Sequence, residues 1–321
     1  MKLNNAIGGY FSLELSQKRN FHKNGIHLNT GRNAFELIIT TRNYKKIFIP
    51  HYTCEVILEP LEKHQIEYEY YYIDQNLDPL DLPELKKHEA FLYTNYFGIK
   101  NHTANMLTTS LRNLILDNSQ AFYHKPPGHV DAFYSPRKFF GVSDGGVAIL
   151  YGSKPSLKDF KQDISFQRMS HLLKRIDISP EMGYDDFVKN DAALSNQPIK
   201  RMSKITEAIL RSIDYKKNKS IREDNFNYLH ARLSSANEMP LPAEWNNGPM
   251  VYPLLVKHKT LRSKLIEKKV YVATYWENVM RIVAKDSTEA YLSRYLIPLP
   301  VDQRYSRADM ERLVELVLGI I

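Results

Sequence analysis

The sequence predicts an α/β protein: a large domain over residues 1–215 with a mostly parallel sheet sandwiched by helices, and a smaller C-terminal α/β domain over residues 216–321. Three observations carry this expectation. Short runs rich in β-branched and aromatic residues alternate with helical patterns through the first half. After about residue 200 the texture changes to a long charged helical pattern. A chain of 321 residues, 43% of them hydrophobic, can bury one large core and a second, smaller one.

In order along the chain, KIFIP (46–50) reads as a short buried strand and CEVILEPLEKH (54–64) as a helix. IEYEYYYID (66–74) alternates as a strand does, and AFLYTNY (90–96) follows as another. NLILD (113–117) is a strand ending in an acid, and VDAFYS (130–135) and GVAILYG (146–152) complete the series. In IKRMSKITEAILRSIDYKKNKSIRE (199–223), Ile205, Ala208, Ile209 and Ile213 recur at helical spacing with basic residues on the other face, which predicts one long helix. The loop MPLPAEWNNGP (239–249), the strand VYPLLV (251–256), a helix near 260–268, the strand KVYVATYW (269–276) and an amphipathic helix in SRADMERLVELVLGII (306–321) make up the smaller domain.

The formal charge is +8, from 44 basic and 36 acidic residues, so anionic ligands are drawn to the surface. No zinc-finger spacing or glycine-aromatic RNA-binding pattern accompanies the basic helix, which makes a solvated face the better reading than a nucleic-acid groove. The 11 histidines show no HExxH or paired Cys/His spacing, so no metal site is expected. A single cysteine, Cys54, excludes an internal disulfide and fits a reducing compartment. MKLNNAIGGYFSLEL (1–15) lacks the basic start and apolar core of a signal peptide, and no later stretch approaches about 18 uninterrupted apolar residues. The expectation is a soluble, cytoplasmic protein that does not enter a membrane.

Four stretches could carry chemistry. LNTGRNAFELII (28–39) places Thr-Gly-Arg before a helical pattern, where a glycine lets backbone N–H groups approach a phosphate at the helix N-terminus. NLILDNSQAF (113–122) puts Asp117 at the C-terminal end of a buried strand, where open α/β sheets expose ligand-binding groups, although such an acid is often only a cap. SPRK (135–138) offers a lysine between two apolar runs, with a serine three residues earlier. DGG (144–146) turns the chain into the next strand.

Taken in order, TGR (30–32), IPHYTC (49–54), LDNSQ (116–120), SPRK (135–138) and DGG (144–146) resemble the motifs of the DegT/DnrJ/EryC1/StrS sugar aminotransferases. Those enzymes use pyridoxal phosphate on the fold-type-I scaffold. IKRMSKITEAIL (199–210) is similar to that family's Arg-Met-Ser helix, VYPLLV with the following Arg262 to its C-terminal strand and helix start, and YLIPLP (295–300) to its late Leu-Pro segment.

The resemblance implies roles for particular residues. Lys138 would hold the cofactor as an imine in a buried position and then shuttle a proton. Asp117 would pair with the pyridinium nitrogen, and Gln120 would touch the ring oxygen. The backbone N–H groups of Gly31 and Arg32, with Ser135, would hold the phosphate. Tyr52 or Cys54 would lie against the cofactor face. Tyr96, Tyr275, Trp276 and Arg304 are candidates for the substrate rim. A homodimer, an amino-acid donor such as glutamate and a keto-sugar acceptor carried on a nucleotide are implied in the same way.

The chain also departs from that pattern. Phe133 stands where the family usually has a phosphate-binding serine, so Ser135 would have to take over. The spacing from Asp117 to Lys138 is short, which implies a trimmed loop at YHKPPGH (123–129). Ile199 replaces an asparagine that reaches the partner subunit, with Lys200 and Arg201 nearby as substitutes. A histidine in place of Lys138 would have indicated the deoxygenating branch of the family; the lysine favours transamination. Two alternatives stay open: a pyridoxal-phosphate enzyme with a non-sugar acceptor, and a non-catalytic binding protein on the same fold.

Overall fold

The computed structural model describes residues 7–152, 155–242, 245 and 247–321. The first six residues of the opening segment, and Ala243, Glu244 and Asn246 of the loop at 239–249, lie outside them. Every strand expected in the first half enters one sheet, made of β1 (Ile26–Leu28), β2 (Lys46–Pro50), β3 (Glu67–Tyr71), β4 (Glu89–Thr94), β5 (Leu114–Asp117), β6 (Asp131–Tyr134) and β7 (Gly146–Ile149). Their order is β1-β7-β6-β5-β4-β2-β3. The run β3-β2-β4-β5-β6 is parallel, and β7 is antiparallel to both β6 and β1.

Alternation of side chains sorts each strand between two cores. Ile47, Ile49, Ala90, Leu92, Ile115, Phe133 and Ala148 face the helix Gly31–Arg42, whose Phe35, Leu37, Ile38 and Ile39 cover them. Phe48, Phe91, Tyr93, Leu116, Ala132, Tyr134 and Val147 face the other way, into a core that continues through helix Tyr215–Leu233 to the second sheet. Apolar residues on both faces are what a covered parallel sheet requires. Full burial of a side chain such as Phe35 or Ile38 contributes about 1.5–3 kcal/mol each. The second sheet pairs β8 (Val251–Leu255) with β9 (Leu296–Pro300), antiparallel, under helices Leu261–Glu267 and Arg307–Leu318. Ser306 and Asp309 close a reciprocal cap at the start of the last helix.

Two expectations are corrected. The long helix over 199–223 is two helices, Lys204–Ser212 and Tyr215–Leu233, because Ile213 is extended and the Asp214 carboxylate accepts the Lys217 N–H at 3.1 Å, starting a new helix. KVYVATYW forms no strand: among the described residues the second sheet pairs β8 with β9 alone, and Tyr275 and Trp276 instead pack on Phe97 and Tyr52. Packing of these half-buried rings overrides the β-propensity of the run. Helices Ser170–Asp177 and Pro180–Ala193, and the three-residue β1, were not predicted from the sequence.

Among the described residues no helix is long and apolar enough to cross a membrane, and no group of three or more His, Cys, Asp or Glu could hold a metal ion.

Two buried histidines set an acid limit on the fold. Burial holds His22, whose Nε2 donates to the Phe122 carbonyl at 2.8 Å, down to about 3, and holds His124 down to about 4. Both folded values lie below the ordinary value near 6.5, so the unfolded chain binds more protons in between, and stability rises with pH across that window. For each of His22→Gln and His124→Gln, urea unfolding is expected to show a pH slope near pH 5 shallower by about 1.4 kcal/mol per unit. An unchanged slope in either variant would count against this assignment.

Candidate active site

The parallel strands end together at one edge of the sheet, and the polar residues gather there. Asp117 is the last residue of β5 and is buried, 6% exposed. Its Oδ1 accepts the Ser119 N–H at 2.8 Å. Burial raises the Asp117 carboxyl above the ordinary range, while Lys138 and the Ser119 hydrogen bonds pull it back. Beyond β6, Pro136 starts a single 3₁₀ turn, Pro136–Lys138, that swings Lys138 over the end of β5. Its Nζ donates to Ser119 Oγ at 3.1 Å.

Lys138 is exposed rather than buried as expected, because the turn sends Phe139 and Phe140 into the core and leaves the lysine at the opening. Ser119, which joins Lys138 to Asp117, was not singled out in the sequence. Its signal was the Asp-x-Ser spacing, in which a carboxylate caps the N–H two residues on.

A second cluster adjoins the first. Thr30 caps helix Gly31–Arg42 by accepting the Asn33 N–H at 3.0 Å, and the first turn of that helix carries no acid. A Cβ on Gly31 would lie 3.3 Å from the Ser135 Cβ and 3.7 Å from its Oγ, so Gly31 and Ser135 face each other at the helix N-terminus. There the unpaired N–H groups and the helix dipole favour an anion. The Arg32 guanidinium is turned aside, 2.6 Å from Glu59 Oε2 and 3.2 Å from Ser195 Oγ, so only its backbone belongs to this cluster.

The entrance to β7 presses on the same loop: a Cβ on Gly146 would sit 2.0 Å from the Thr30 carbonyl oxygen. Gly146→Ala is therefore expected to destabilise the fold by about 2–3 kcal/mol, read from urea unfolding. A loss below about 0.5 kcal/mol would show that the loop can yield.

Gln120, 1% exposed, accepts the Phe97 N–H through Oε1 at 2.9 Å. This holds Phe97 in the left-handed region, φ 56°, and leaves the amide nitrogen as the donor end. Tyr96 is a core residue rather than a rim residue: it is fully buried, with its hydroxyl on the Tyr52 carbonyl at 2.7 Å. Tyr52 is also fully buried, and burial pushes its hydroxyl well above the ordinary phenol range; among the described residues that hydroxyl has no hydrogen-bond partner.

Trp276 lies edge-on to Tyr52 at 5.0 Å, and Tyr275 stacks on Phe97 at 5.9 Å. Asn278 ties this wall to the first sheet through the Thr53 carbonyl at 3.0 Å. Burial raises the Tyr275 hydroxyl to about 12, with the half-buried Cys54 adding to it. Arg304 stands apart, with its guanidinium held at 2.7 and 2.8 Å by Asp302.

The structure thus gathers Lys138, Asp117, Ser119 and Gln120 at the strand ends, Gly31 and Ser135 at the helix N-terminus, and Tyr52, Cys54, Tyr275 and Trp276 in an aromatic wall. The seven-stranded sheet with β7 reversed, and the lysine turn beyond β6, give the chain the fold of the fold-type-I pyridoxal-phosphate aminotransferases.

Three solved structures show the likeness. A protein from Streptococcus pneumoniae described as a sugar aminotransferase, in its PLP form, aligns over 92% of this chain and 88% of its own at 12% identity, with a TM-score of 0.63. A sugar aminotransferase from Micromonospora echinospora aligns over 92% and 87% at 13% identity, TM-score 0.61. A DegT/DnrJ/EryC1/StrS aminotransferase from Brucella abortus aligns over 92% and 85% at 14% identity, TM-score 0.59. No protein-family model matches the sequence, and no curated protein matches it. At these identities the likeness establishes the fold.

Proposed function

We propose that the chain is a pyridoxal-phosphate-dependent aminotransferase that moves an amino group from an amino acid, glutamate being the expected donor, to a nucleotide-linked keto-sugar. The observation that carries this reading is the Asp117–Ser119–Lys138 arrangement at the strand ends of a fold shared with sugar aminotransferases, one of them in a PLP form. The residues fit the cofactor. A buried carboxylate raised by desolvation is suited to a cationic ring nitrogen, and the Gly31–Ser135 cradle at a helix N-terminus is suited to a phosphate.

Lys138 would hold the cofactor covalently, Asp117 would face the ring nitrogen, and the Gln120 amide nitrogen would meet the ring oxygen. The N–H groups of Gly31 and Arg32 and the Ser135 hydroxyl would take the phosphate. When bound, pyridoxal phosphate supplies an electron-withdrawing ring that lets a C–H bond beside nitrogen ionise. Ser119 steadies the Lys138 amine, and Nζ carries the proton from one carbon to the other. The aromatic wall at Tyr275 and Trp276 would flank the acceptor and keep water from it. A homodimer acting in the cytoplasm, with the large and small units meeting at residue 215, completes the proposal; the lone Cys54 suits a reducing compartment.

One observation favours a second reading, an acceptor that is not a nucleotide sugar. Arg32 and Arg304 each spend the guanidinium on a carboxylate, so neither is free to meet a diphosphate. Incubation with pyridoxal phosphate and glutamate, followed by nucleotide-linked keto-sugars or simple keto acids, separates the two. Transfer to the sugars alone supports the first reading, and transfer to keto acids alone overturns it in favour of the second.

A further inference from the structure

The Lys138 turn is held from the far side by a buried cation. Arg222, on helix Tyr215–Leu233, is 1% exposed. Its Nη2 donates to the Phe139 carbonyl at 3.2 Å, and Gln303 Nε2 donates to the same oxygen at 2.8 Å. The two side chains are themselves joined, since Arg222 Nε donates to Gln303 Oε1 at 2.9 Å. Two donors occupy both lone pairs of the carbonyl that immediately follows Lys138, and the guanidinium lies 4.6 Å from the centre of the Phe139 ring. The Arg222 Nη1 donates to the Pro249 and Met250 carbonyls at 3.1 and 3.3 Å.

No carboxylate hydrogen-bonds this guanidinium among the described residues; the charge of Asp302, which it feels, is held in a fork by Arg304. A core that needed only volume at this position would take a methionine or leucine, because an ion is costly to bury. What the guanidinium adds is a rigid fork that reaches three chain segments at once.

Those bonds close a circuit around the candidate site. Met250 N donates to the Phe97 carbonyl at 2.8 Å, and the Phe97 N–H is held by Gln120. Gln120 adjoins Ser119, which receives the Lys138 amine. The small-sheet side of the molecule is thereby wired to both ends of the lysine's surroundings.

We propose that Arg222 and Gln303 are positioning residues that fix the Lys138 turn, so that the lysine amine stays over Asp117 and Ser119 while its side chain remains exposed. This rests on the reading of Lys138 as the cofactor lysine, and it deepens that reading. It also explains how an exposed lysine on a single short turn can be held in place without burial.

The test compares wild type with Gln303→Met and Arg222→Lys. Gln303 is only half-buried, so its variant keeps the experiment open should the arginine variant fail to fold. Amide hydrogen exchange of the cofactor-free proteins is followed over residues 135–142, with β2 and β4 as internal references. Pyridoxal phosphate is then added, and the pH titration of its visible band and the yield of borohydride fixation at Lys138 are measured. Exchange about tenfold faster in 135–142 alone, a titration midpoint displaced by half a pH unit or more, and a several-fold lower fixation yield are expected. Wild-type exchange in a folded variant overturns the proposal. So does faster exchange with an unchanged titration and fixation, which would leave the clamp merely structural. If wild type itself fixes no cofactor, the functional reading fails instead, and the exchange comparison alone decides whether the clamp holds the turn.

Discussion

Lys138→Ala is expected to fold like wild type and to fix no pyridoxal phosphate on borohydride treatment, with amino transfer lowered by about 10⁴-fold or more. The fold is spared because the side chain is exposed and, among the described residues, makes one hydrogen bond, to Ser119, so its removal leaves no cavity in the core. Lys138→Arg keeps a cation within reach of Ser119 but loses an amine that can deprotonate, and it is expected to be as inactive as the alanine variant. That pair separates charge from nucleophilicity. A wild-type protein that stays colourless with added pyridoxal phosphate would remove the basis of the proposed function, and the non-catalytic reading would replace it.

Asp117→Asn acts in opposite directions on stability and on catalysis. The carboxyl is raised in the folded, cofactor-free protein, chiefly by desolvation. A raised acid binds its proton more tightly when folded, so its contribution is most favourable below the unfolded value near 3.9 and is lost as pH rises through the folded value. At neutral pH the variant, whose amide oxygen can still accept the Ser119 N–H, should therefore melt a few degrees higher than wild type without cofactor. Below about pH 4 the difference should vanish.

With pyridoxal phosphate present the order reverses, because the neutral amide cannot balance a cationic ring nitrogen, and turnover falls on the order of 10³-fold. Calorimetric scans at pH 4 and pH 7, with and without cofactor, check both halves. Equal stabilisation of wild type and variant by the cofactor would mean that Asp117 does not face it.

Much of the sheet was legible because its strands are short, apolar and bounded by polar turns, as KIFIP and NLILD are, and burial on both faces leaves that signature in the local sequence. The helix start at Thr30-Gly31 was legible for a similar reason, since capping is local chemistry. Asp214 was an equally local signal, an N-cap aspartate, but the helical spacing on either side concealed it. KVYVATYW misled because its propensity is that of a strand while its rings are spent on Tyr52 and Phe97, residues far away in the chain.

The residues of the candidate site divide in the same way. The positions of Asp117, Lys138, Gly31 and Ser135 followed from strand ends, a helix start and the order of motifs. The burial of Tyr96, the turning aside of Arg32 and Arg304, the place of Ser119 between lysine and acid, and the Arg222–Gln303 clamp did not.

The sequence by itself determined the α/β class, the strands of the main sheet other than β1 and the order in which a glycine loop, an acid and a lysine follow one another, because periodicity, capping and composition are written in neighbouring residues. Only the tertiary structure decided which polar side chains remain available. A guanidinium or hydroxyl is free or spent according to whether a partner from a distant segment lies within about 3 Å. For Arg32 that partner is Glu59, for Tyr96 it is the carbonyl of Tyr52, and for Arg222 it is the carbonyl next to Lys138.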